Sequence, residues 1–561
     1  MKTRKGFKQV VREKVYFPIQ FNQEVRLGSI LTNRTIDGAS ISISLKPQLI
    51  DRIKLLGGTQ TPSNKEIRNK PGYVTDNEPE NRVNQPKPSF WIEGYGCSAN
   101  FADLEMMAGQ LRLQGFKLAE NPENSNINLI VTCSVKNSTE HKMIHRIKYL
   151  TNTNKPLIIA GCLPAADESL VKSVNSRASI IGPNSIDKIV EVAHAAMSGK
   201  TVSSLKDSNI DKINLPKLPM SAIISIIEIS TGCLSECTFC QTKLAKGDLR
   251  SYRIGEIVKQ IREDIALGSK EIWLTSTDNG CYGLDIGTNL INLLRSCEKM
   301  EQEFKIRLGM MNPMYLNRMI NDLSILYSQS NKLFKFIHIP IQSGSERILR
   351  KMKRGHTVDT TKHLITKLKD KVPEITIATD IITGFPTETD EDFEQTLDLV
   401  SFIEPDVVNS TKFSSRPGTA ASKLRRVDDD IISSRSEKLH ILIKTIANKR
   451  NSMWVNWEGD VIINEIENGR LKGRNDYYKS IILERHPDES FLKKKSQTNH
   501  QLRTQESKDF QKNKAQKEEN TVIKTGPYKN SMLYFNNPFM GAKIRVKVIS
   551  YSNHVLNAIP V

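Results

Sequence analysis

From residue 89 onward the chain alternates short, continuous apolar runs with stretches in which apolar residues recur every three or four positions. Residues 90–95, 129–132 and 157–160 are runs of the kind that lie buried on both faces of a parallel sheet. Between them Leu104, Met107, Ala108 and Leu111 share one face of a predicted helix, and Met143, Ile144 and Ile147 share a face of the next. A strand at 179–181 and a helix over 185–197 complete the unit. Such alternation calls for parallel strands joined by crossover helices. A longer series follows, with strands expected at 222–230, 271–275, 305–309, 334–339, 375–381 and 407–412 and helices at 254–266, 290–300 and 393–402. Six repeats fall short of the eight of a complete barrel and predict an open, partial (β/α)6 barrel. A basic helix over 434–450 ends it, with Lys444, Lys449 and Arg450 expected on a solvent face. After it, 460–465, 479–483 and 543–549 are short strand patterns with turns between them, which predict a small β-barrel.

The fold class is therefore α/β, with a small all-β tail. The expected organisation is an extension at 1–87, a parallel α/β unit at 88–200, a polar linker at 201–219, the partial barrel at 220–450 and the tail barrel at 451–561. Within the extension, 15–19, 29–30 and 41–45 look like strands and 49–55 like a short helix, while 59–88 has a linker's composition. Residues 487–525, rich in Lys, Gln, Glu and Ser, interrupt the tail as a disordered insertion. At roughly 100–200 residues per domain, 561 residues make several units.

Charge narrows the partners. Lysine and arginine number 81 against 62 acidic residues, a formal charge of +19 and a pI near 9.4, which favours a polyanion, nucleic acid ahead of a membrane surface. The most apolar run, 222–227, is far shorter than the ~20 residues of a spanning helix. The first fourteen residues are basic without the apolar core of a secretory signal, so a cytoplasmic protein is expected.

Six of the eight cysteines carry the chemistry. Cys233, Cys237 and Cys240 form a C-x3-C-x2-C run just past the first barrel strand, where α/β sheets gather ligands. Three thiolates hold three corners of a four-iron cluster and leave one iron open for another ligand. A chance run of buried thiols, or a zinc site short of one ligand, is the alternative. Phe239 stands beside Cys240 where an adenine could stack, or is a core residue. Cys97, Cys133 and Cys162 each follow a predicted strand, 36 and 29 residues apart, so parallel pairing would bring them to one sheet edge as a second three-thiolate set. Separate buried structural cysteines are the alternative there.

The cysteine run resembles that of the radical S-adenosylmethionine superfamily. The resemblance continues through Thr275-Ser276-Thr277-Asp278, the run from His338 to Gly344, and the run from Asp380 to Pro386. It implies a cluster whose open iron chelates S-adenosylmethionine and cleaves it to a 5′-deoxyadenosyl radical. Phe239, Ser276, Asp278, Gln342, Ser343 and Gly384 are the implied cofactor contacts. With Tyr95-Gly96-Cys97, the stretch 231–250, Tyr282-Gly283-Leu284-Asp285 and the run from Ser414 to Thr419, the chain is similar to methylthiotransferases over 88–561, insertion apart. It is most similar to the archaeal and eukaryotic type acting on tRNA threonylcarbamoyladenosine. That implies cluster ligation by both cysteine sets, a carboxy-terminal RNA-binding TRAM barrel, and replacement of an aromatic C–H on adenosine-37 by a methylthio group. Val131 departs from the asparagine that many relatives carry before Thr132-Cys133.

A side-chain base cannot readily deprotonate an aromatic carbon, which favours radical chemistry, and no catalytic side chain is expected beyond the cluster-bound cofactors. Two 4Fe-4S clusters and S-adenosylmethionine are the expected cofactors; tRNA and a low-potential donor such as ferredoxin or flavodoxin are the expected partners. Arg470, Lys472, Arg474 and Tyr477 interleave charge and aromatic surface on a predicted hairpin suited to an RNA loop, with a solvated hairpin as the alternative. Rival readings are the same chemistry on isopentenyladenosine tRNA or a ribosomal protein, or a non-catalytic iron–sulfur RNA-binding protein.

Overall fold

The structure, a computed structural model, describes residues 87–134, 137–484 and 537–561, with the backbone of three short strands before them, Val25–Arg26, Arg34–Ile36 and Ala39–Ile41. The insertion expected at 487–525, and the elements expected at 15–19, 29–30 and 49–55, lie outside the described residues.

Four parallel strands in sequence order, β1 (Ser89–Gly94), β2 (Ile127–Thr132), β3 (Leu157–Gly161) and β4 (Ser179–Ile181), are the body of the first sheet, with the short Lys117–Leu118 parallel to β1 and Ser203–Ser204 parallel to β4. Val25–Arg26 pairs antiparallel on the outer side of β1. Separate apolar clusters cover the two faces, which explains why β2 and β3 read as unbroken apolar runs. Helix α1 (Ser98–Leu113) carries the predicted stripe, yet it is buried all round, Asp103 and Glu105 included. It is held between this sheet and the barrel, so close that a Cβ on Gly109 would lie 2.4 Å from the Pro216 carbonyl oxygen. Helix α2 (Asn137–Thr151) crosses from β2 to β3 and buries Met143 and Ile147.

The partial barrel is built from two parallel three-stranded sheets. β5 (Ile224–Glu228), β6 (Glu271–Thr275) and β7 (Lys305–Leu308) form one; β8 (Phe336–His338), β9 (Thr376–Thr383) and β10 (Val407–Lys412) form the other. A parallel bridge between Ile306 and Leu333 joins the halves into a six-stranded arc. Its core is aliphatic with buried tyrosines; the Tyr327 hydroxyl donates to the Phe336 carbonyl at 2.8 Å. The tail is a closed five-stranded barrel in the order β11 (Glu458–Glu467), β12 (Arg470–Arg474), β13 (Ser480–Leu483), β15 (Leu556–Pro560), β14 (Lys543–Tyr551). Asn468 and Gly469, both at positive φ, make the two-residue turn between β11 and β12.

Two polar segments differ from expectation. The stretch expected as a linker at 201–219 buries Lys212 and Lys217, because each neutralises carboxylates that helices and strands carry inside: Asp103 and Glu228 for Lys212, Asp264 for Lys217. In the long helix α5 (Asp429–Ser452), Arg450 is buried rather than solvent-facing, since its guanidinium pairs with buried Asp406 at 3.0 Å.

Candidate active site

Cys233, Cys237 and Cys240 sit on the loop between β5 and helix α4 (Thr242–Lys246). Gly232 lets the loop turn: its φ is +70°, and a Cβ there would lie 1.8 Å from the Asp248 carbonyl oxygen. The Cys233 amide donates to the Gly247 carbonyl at 3.2 Å and the Cys240 amide to that of Cys237 at 3.1 Å, so the loop is folded upon itself. Arg354 reaches in from the far half of the barrel. One of its nitrogens donates to Cys237 Sγ at 3.2 Å and the other to the Pro340 carbonyl at 2.6 Å. A fourth thiol, Cys281, is buried beside Cys233, and a hydrogen bond from it draws Cys233 below an ordinary thiol against the opposing effect of burial. Burial, with the neighbouring Cys237 thiol, pushes Cys240 up.

The other three thiols come from three strand ends. Cys97 caps α1 after β1, Cys133 follows β2, and Cys162 opens helix α3 (Cys162–Ala166) after β3. Parallel register aligns the ends, Gly94 beside Val131 and Thr132 beside Gly161. Glycines allow the close approach: a Cβ on Gly96, whose φ is +114°, would lie 2.7 Å from Cys133 Cβ, and one on Gly161 2.4 Å from the Thr132 carbonyl oxygen. Asn100 lies among the thiols; the Cys97 thiol donates to its Oδ1 at 3.3 Å, and Cys162 Sγ is 4.0 Å from the same atom. Burial raises Cys162 well above an ordinary thiol; the charges of Cys133 and Cys97 add to this and that of Lys246 opposes it.

The two sets share one side of the molecule. Ser98, next to Cys97, has its hydroxyl 2.8 Å from that of Thr275 at the carboxyl end of β6. Helix α3 packs on α4. Asn184 holds the seam, accepting from the Thr231 hydroxyl at 3.2 Å and donating to the Lys246 carbonyl at 3.1 Å. Beneath it Lys246 pairs with Glu228 at 2.8 Å, and Lys212 joins Glu228 to Asp103, all four fully buried. Burial alone would lower the Lys246 ammonium, but Glu228, Asp103 and then the Cys162 and Cys97 thiols hold it well above its usual value. Arg416, in the run after β10, closes the seam by pairing with Glu140 of α2.

Comparison with known proteins agrees with this geometry. The radical SAM superfamily model matches residues 227–400, and that of an uncharacterized protein family, UPF0004, matches 89–182. A probable threonylcarbamoyladenosine tRNA methylthiotransferase of Pyrococcus horikoshii is 39% identical over 397 residues, covering 70% of this chain and 93% of that protein. The threonylcarbamoyladenosine tRNA methylthiotransferases of Danio rerio and Homo sapiens are each 36% identical over 408 residues, covering 71% of this chain and 74% and 70% of theirs. The chain belongs to this methylthiotransferase family. Radical S-adenosylmethionine chemistry with two four-iron clusters comes with that membership.

The donor sets fit such cofactors. A single tetrahedral ion with metal–sulfur bonds of ~2.3 Å would draw its thiolates to about 3.8 Å from one another. Among the described residues, only Cys233, Asp278 and Cys281 bring three ligand atoms within 4.8 Å of one another, and neither cysteine triad does. That spacing leaves each triad room for a group larger than one ion, as a cluster bound by three thiolates is.

The residues expected at the cofactor divide. Asp278 lies beside Cys233, its Oδ1 fixed by the amides of Gly280 at 2.9 Å and Asn312 at 3.1 Å, while Ser276 donates to Asn279 nearby. Gln342, at positive φ, sits at the carboxyl end of β8, and its amide donates to the Asp380 carbonyl at 2.8 Å. Phe239 is partly buried against the small apolar cluster that contains Phe385 and Phe413. Ser343 faces away, within 3.3 Å of the Thr396 hydroxyl, and Gly384 adjoins Ile432, where a Cβ would lie 2.3 Å from the isoleucine side chain.

The residues expected at the RNA surface are mostly buried. Of the four hairpin residues only Arg470 stands well into solvent, paired with Glu484. Lys472 and Arg474 are each 9% exposed: Lys472 is neutralised by Glu465 and Glu467, and Arg474 lies over the Tyr478 ring. Tyr477 packs on Trp454. The cause is docking. Tyr478 is buried against Phe334, Phe336 and Trp273, Asn464 bonds Glu271, and Lys479 pairs with Asp406. Those partners cluster toward the amino-terminal ends of barrel strands, whereas both cysteine sets lie at carboxyl ends. No helix among the described residues is long and apolar enough to cross a membrane.

Arg354, Asn100, Cys281 and Lys246 were not legible as site residues. Cys281 alone had a sequence signal, as a cysteine two residues from Gly283 in a run already resembling the family. Lys246 lies inside the stretch 231–250 and Asn100 three residues past Cys97, but both are common residue types, and Arg354 stands outside every resembling run.

Proposed function

We propose that this chain converts N6-threonylcarbamoyladenosine beside the tRNA anticodon to its 2-methylthio derivative. One observation carries the reading: two three-thiol sets, one from a loop and one from three strand ends, open on the same side of the molecule, with Ser98 and Thr275 in contact between them. When bound, S-adenosylmethionine and the clusters supply the radical, the methyl group and the sulfur. The chain's own residues position and insulate. Cys233, Cys237 and Cys240 hold the barrel cluster, and Cys97, Cys133 and Cys162 hold the auxiliary one. Arg354 supports Cys237 with a charged hydrogen bond, which draws negative charge off the thiolate and so favours the reduced, more negative cluster. Asp278, Ser276, Gln342 and Phe239 line the S-adenosylmethionine face, and Ser343 and Gly384 act through backbone shape. The buried Lys212, Glu228, Asp103 and Lys246 network fixes the distance between the two halves.

Phosphate contact falls to exposed tail residues, Arg470 and Arg545 among them, rather than to Lys472, Arg474 and Tyr477. Electrons come from a low-potential donor of the ferredoxin or flavodoxin kind, and the cytoplasm is the compartment. Nucleoside mass spectrometry of tRNA from a strain lacking this chain tests the reading. The 2-methylthio derivative should vanish and N6-threonylcarbamoyladenosine accumulate; an unchanged nucleoside profile would overturn it.

A further inference from the structure

The loop that carries Cys233, Cys237 and Cys240 has two sides. Its α4 end buries Ala245 and Lys246 in the seam with the strand-end unit. Its other side, at Thr238, is clasped by two segments from the far half of the barrel. The Thr238 amide donates to the Met352 carbonyl at 3.1 Å and the Thr238 hydroxyl to the Lys351 carbonyl at 2.9 Å. The Thr238 carbonyl in turn accepts from the Ala421 amide at 2.8 Å. Cys237 and Cys240, on this side, are the partly exposed thiols of the set, whereas Cys233 is buried. A cluster held here is therefore shallowest beside Thr238.

Both clasping segments are basic and exposed. Arg350, Lys351 and Lys353 stand out of the first, at the end of the short helix Glu346–Lys351, and Lys423 and Arg425 out of the second. Among the described residues Lys353 meets one carboxylate, Glu236 at 3.7 Å, and the other four meet none. Lys351 donates to the Thr387 hydroxyl at 2.6 Å, a neutral partner. The neighbouring Arg426 is the one matched base, paired with Asp429 at 2.9 Å. A pair as exposed as that of Lys353 is weak, so the face keeps its positive charge toward solvent. Apolar area adjoins it: Leu244, beside Gly418, and Leu424, whose amide donates to the Ala421 carbonyl, are 50% and 37% exposed.

We propose that this face receives an acidic, low-potential one-electron carrier protein, whose electron enters the barrel cluster from the Cys237 side. The cluster gains the one electron that the carrier loses, and no atom or proton moves. Electron transfer between proteins falls steeply with distance, so the carrier has to dock where the cluster is shallowest. Basic charge beside modest apolar area suits a small, electrostatically steered encounter between proteins. The same charge attracts RNA, but single strands are also gripped by stacking on aromatic rings. No exposed aromatic ring among the described residues stands on these segments; their exposed apolar side chains are leucines. The inference deepens, and rests on, the reading that a protein carrier supplies the electrons.

The test uses full-length protein with both clusters reconstituted and reads 5′-deoxyadenosine formation with two reductants. One is an enzymatically reduced flavodoxin, an acidic flavoprotein; the other is dithionite in excess, too small to need a docking face. Lys351→Glu, Lys423→Glu and Arg425→Glu, made together, should lower the flavodoxin-driven rate about tenfold at low salt, and added salt should narrow the difference. The dithionite-driven rate and the affinity for tRNA should stay as they are. Lys351→Arg, Lys423→Arg and Arg425→Lys, made together, should keep the flavodoxin-driven rate. An unchanged flavodoxin-driven rate in the glutamate variant would overturn the proposal. So would an equal loss with dithionite, which would place these residues in the cluster's support, or a loss of tRNA affinity, which would give the face to RNA. The underlying reading fails separately: a wild-type chain that takes electrons from dithionite but from neither flavodoxin nor ferredoxin refutes the protein carrier itself, whereas carrier-driven turnover indifferent to the charge reversal refutes only this face.

Discussion

The loop triad and the strand-end triad hold the same number of thiols by opposite means. Cys233, Cys237 and Cys240 lie within eight residues, so a single folded loop brings them together. Cys97, Cys133 and Cys162 span sixty-six residues and meet only when β1, β2 and β3 pair in register. The first set needs little beyond local turns; the second requires the loop-closure entropy of a whole sheet to be overcome first. Their surroundings differ as sharply. A guanidinium donates to the loop triad, and an amide oxygen faces the strand-end triad. One set is met by a charged donor, the other by a neutral acceptor.

The comparison is broken most decisively by removing either set. Replacing Cys233, Cys237 and Cys240 by alanine should abolish S-adenosylmethionine cleavage and lower iron from about eight to about four atoms per chain, as measured by iron analysis and 5′-deoxyadenosine formation. Replacing Cys97, Cys133 and Cys162 should also halve the iron and eliminate the methylthiolated nucleoside, but leave S-adenosylmethionine cleavage in place. Loss of cleavage in a folded variant that keeps the barrel cluster would contradict the division between the two.

Substitution of Lys212 by methionine addresses the seam between the sets. Asp103 and Glu228 would be left buried with one cation, Lys246, in place of two. Breaking a buried pair in this way should cost about 3–5 kcal/mol, visible in chemical denaturation. A change below 1 kcal/mol would mean that the network is not what joins the halves. A smaller effect is expected from Arg354→Met, which takes the donor from Cys237 while Arg354→Lys returns part of it. Cleavage should slow about tenfold in the methionine variant, with the barrel cluster's midpoint potential moving more negative and that of the auxiliary cluster unchanged. The smallest effects belong to the tail: Arg470→Ala should weaken tRNA binding by a few fold and flatten its salt dependence by about one phosphate contact. Lys472→Ala should not reproduce that change, because Lys472 already faces Glu465 and Glu467.

Legibility followed the same division. The cysteine loop could be read because its spacing is itself the chemistry, and the parallel strands could be read because burial on both faces makes them continuous apolar runs, as in β2 and β3. The barrel's six strands appeared where the repeats placed them. The burial of the basic hairpin was not legible, since Arg474 and Tyr477 look alike in sequence whether they face solvent or pack under a neighbouring barrel. The polar stretch holding Lys212 looked like a linker for a similar reason: a lysine's composition does not reveal that two carboxylates wait inside for it.

By itself, then, the sequence determined the α/β and β-barrel elements, the two thiol sets and the family, since periodicity and close motif spacing are properties of the chain's local covalent order. Only the tertiary structure decided which side of the molecule both sets share, that Arg354 reaches Cys237 across 117 residues, that Asn100 is locked with its oxygen toward the thiols, and that the tail's basic hairpin is buried in docking. Each of these depends on side chains brought together by strand register and by packing between units. Neither leaves a periodic mark along the chain.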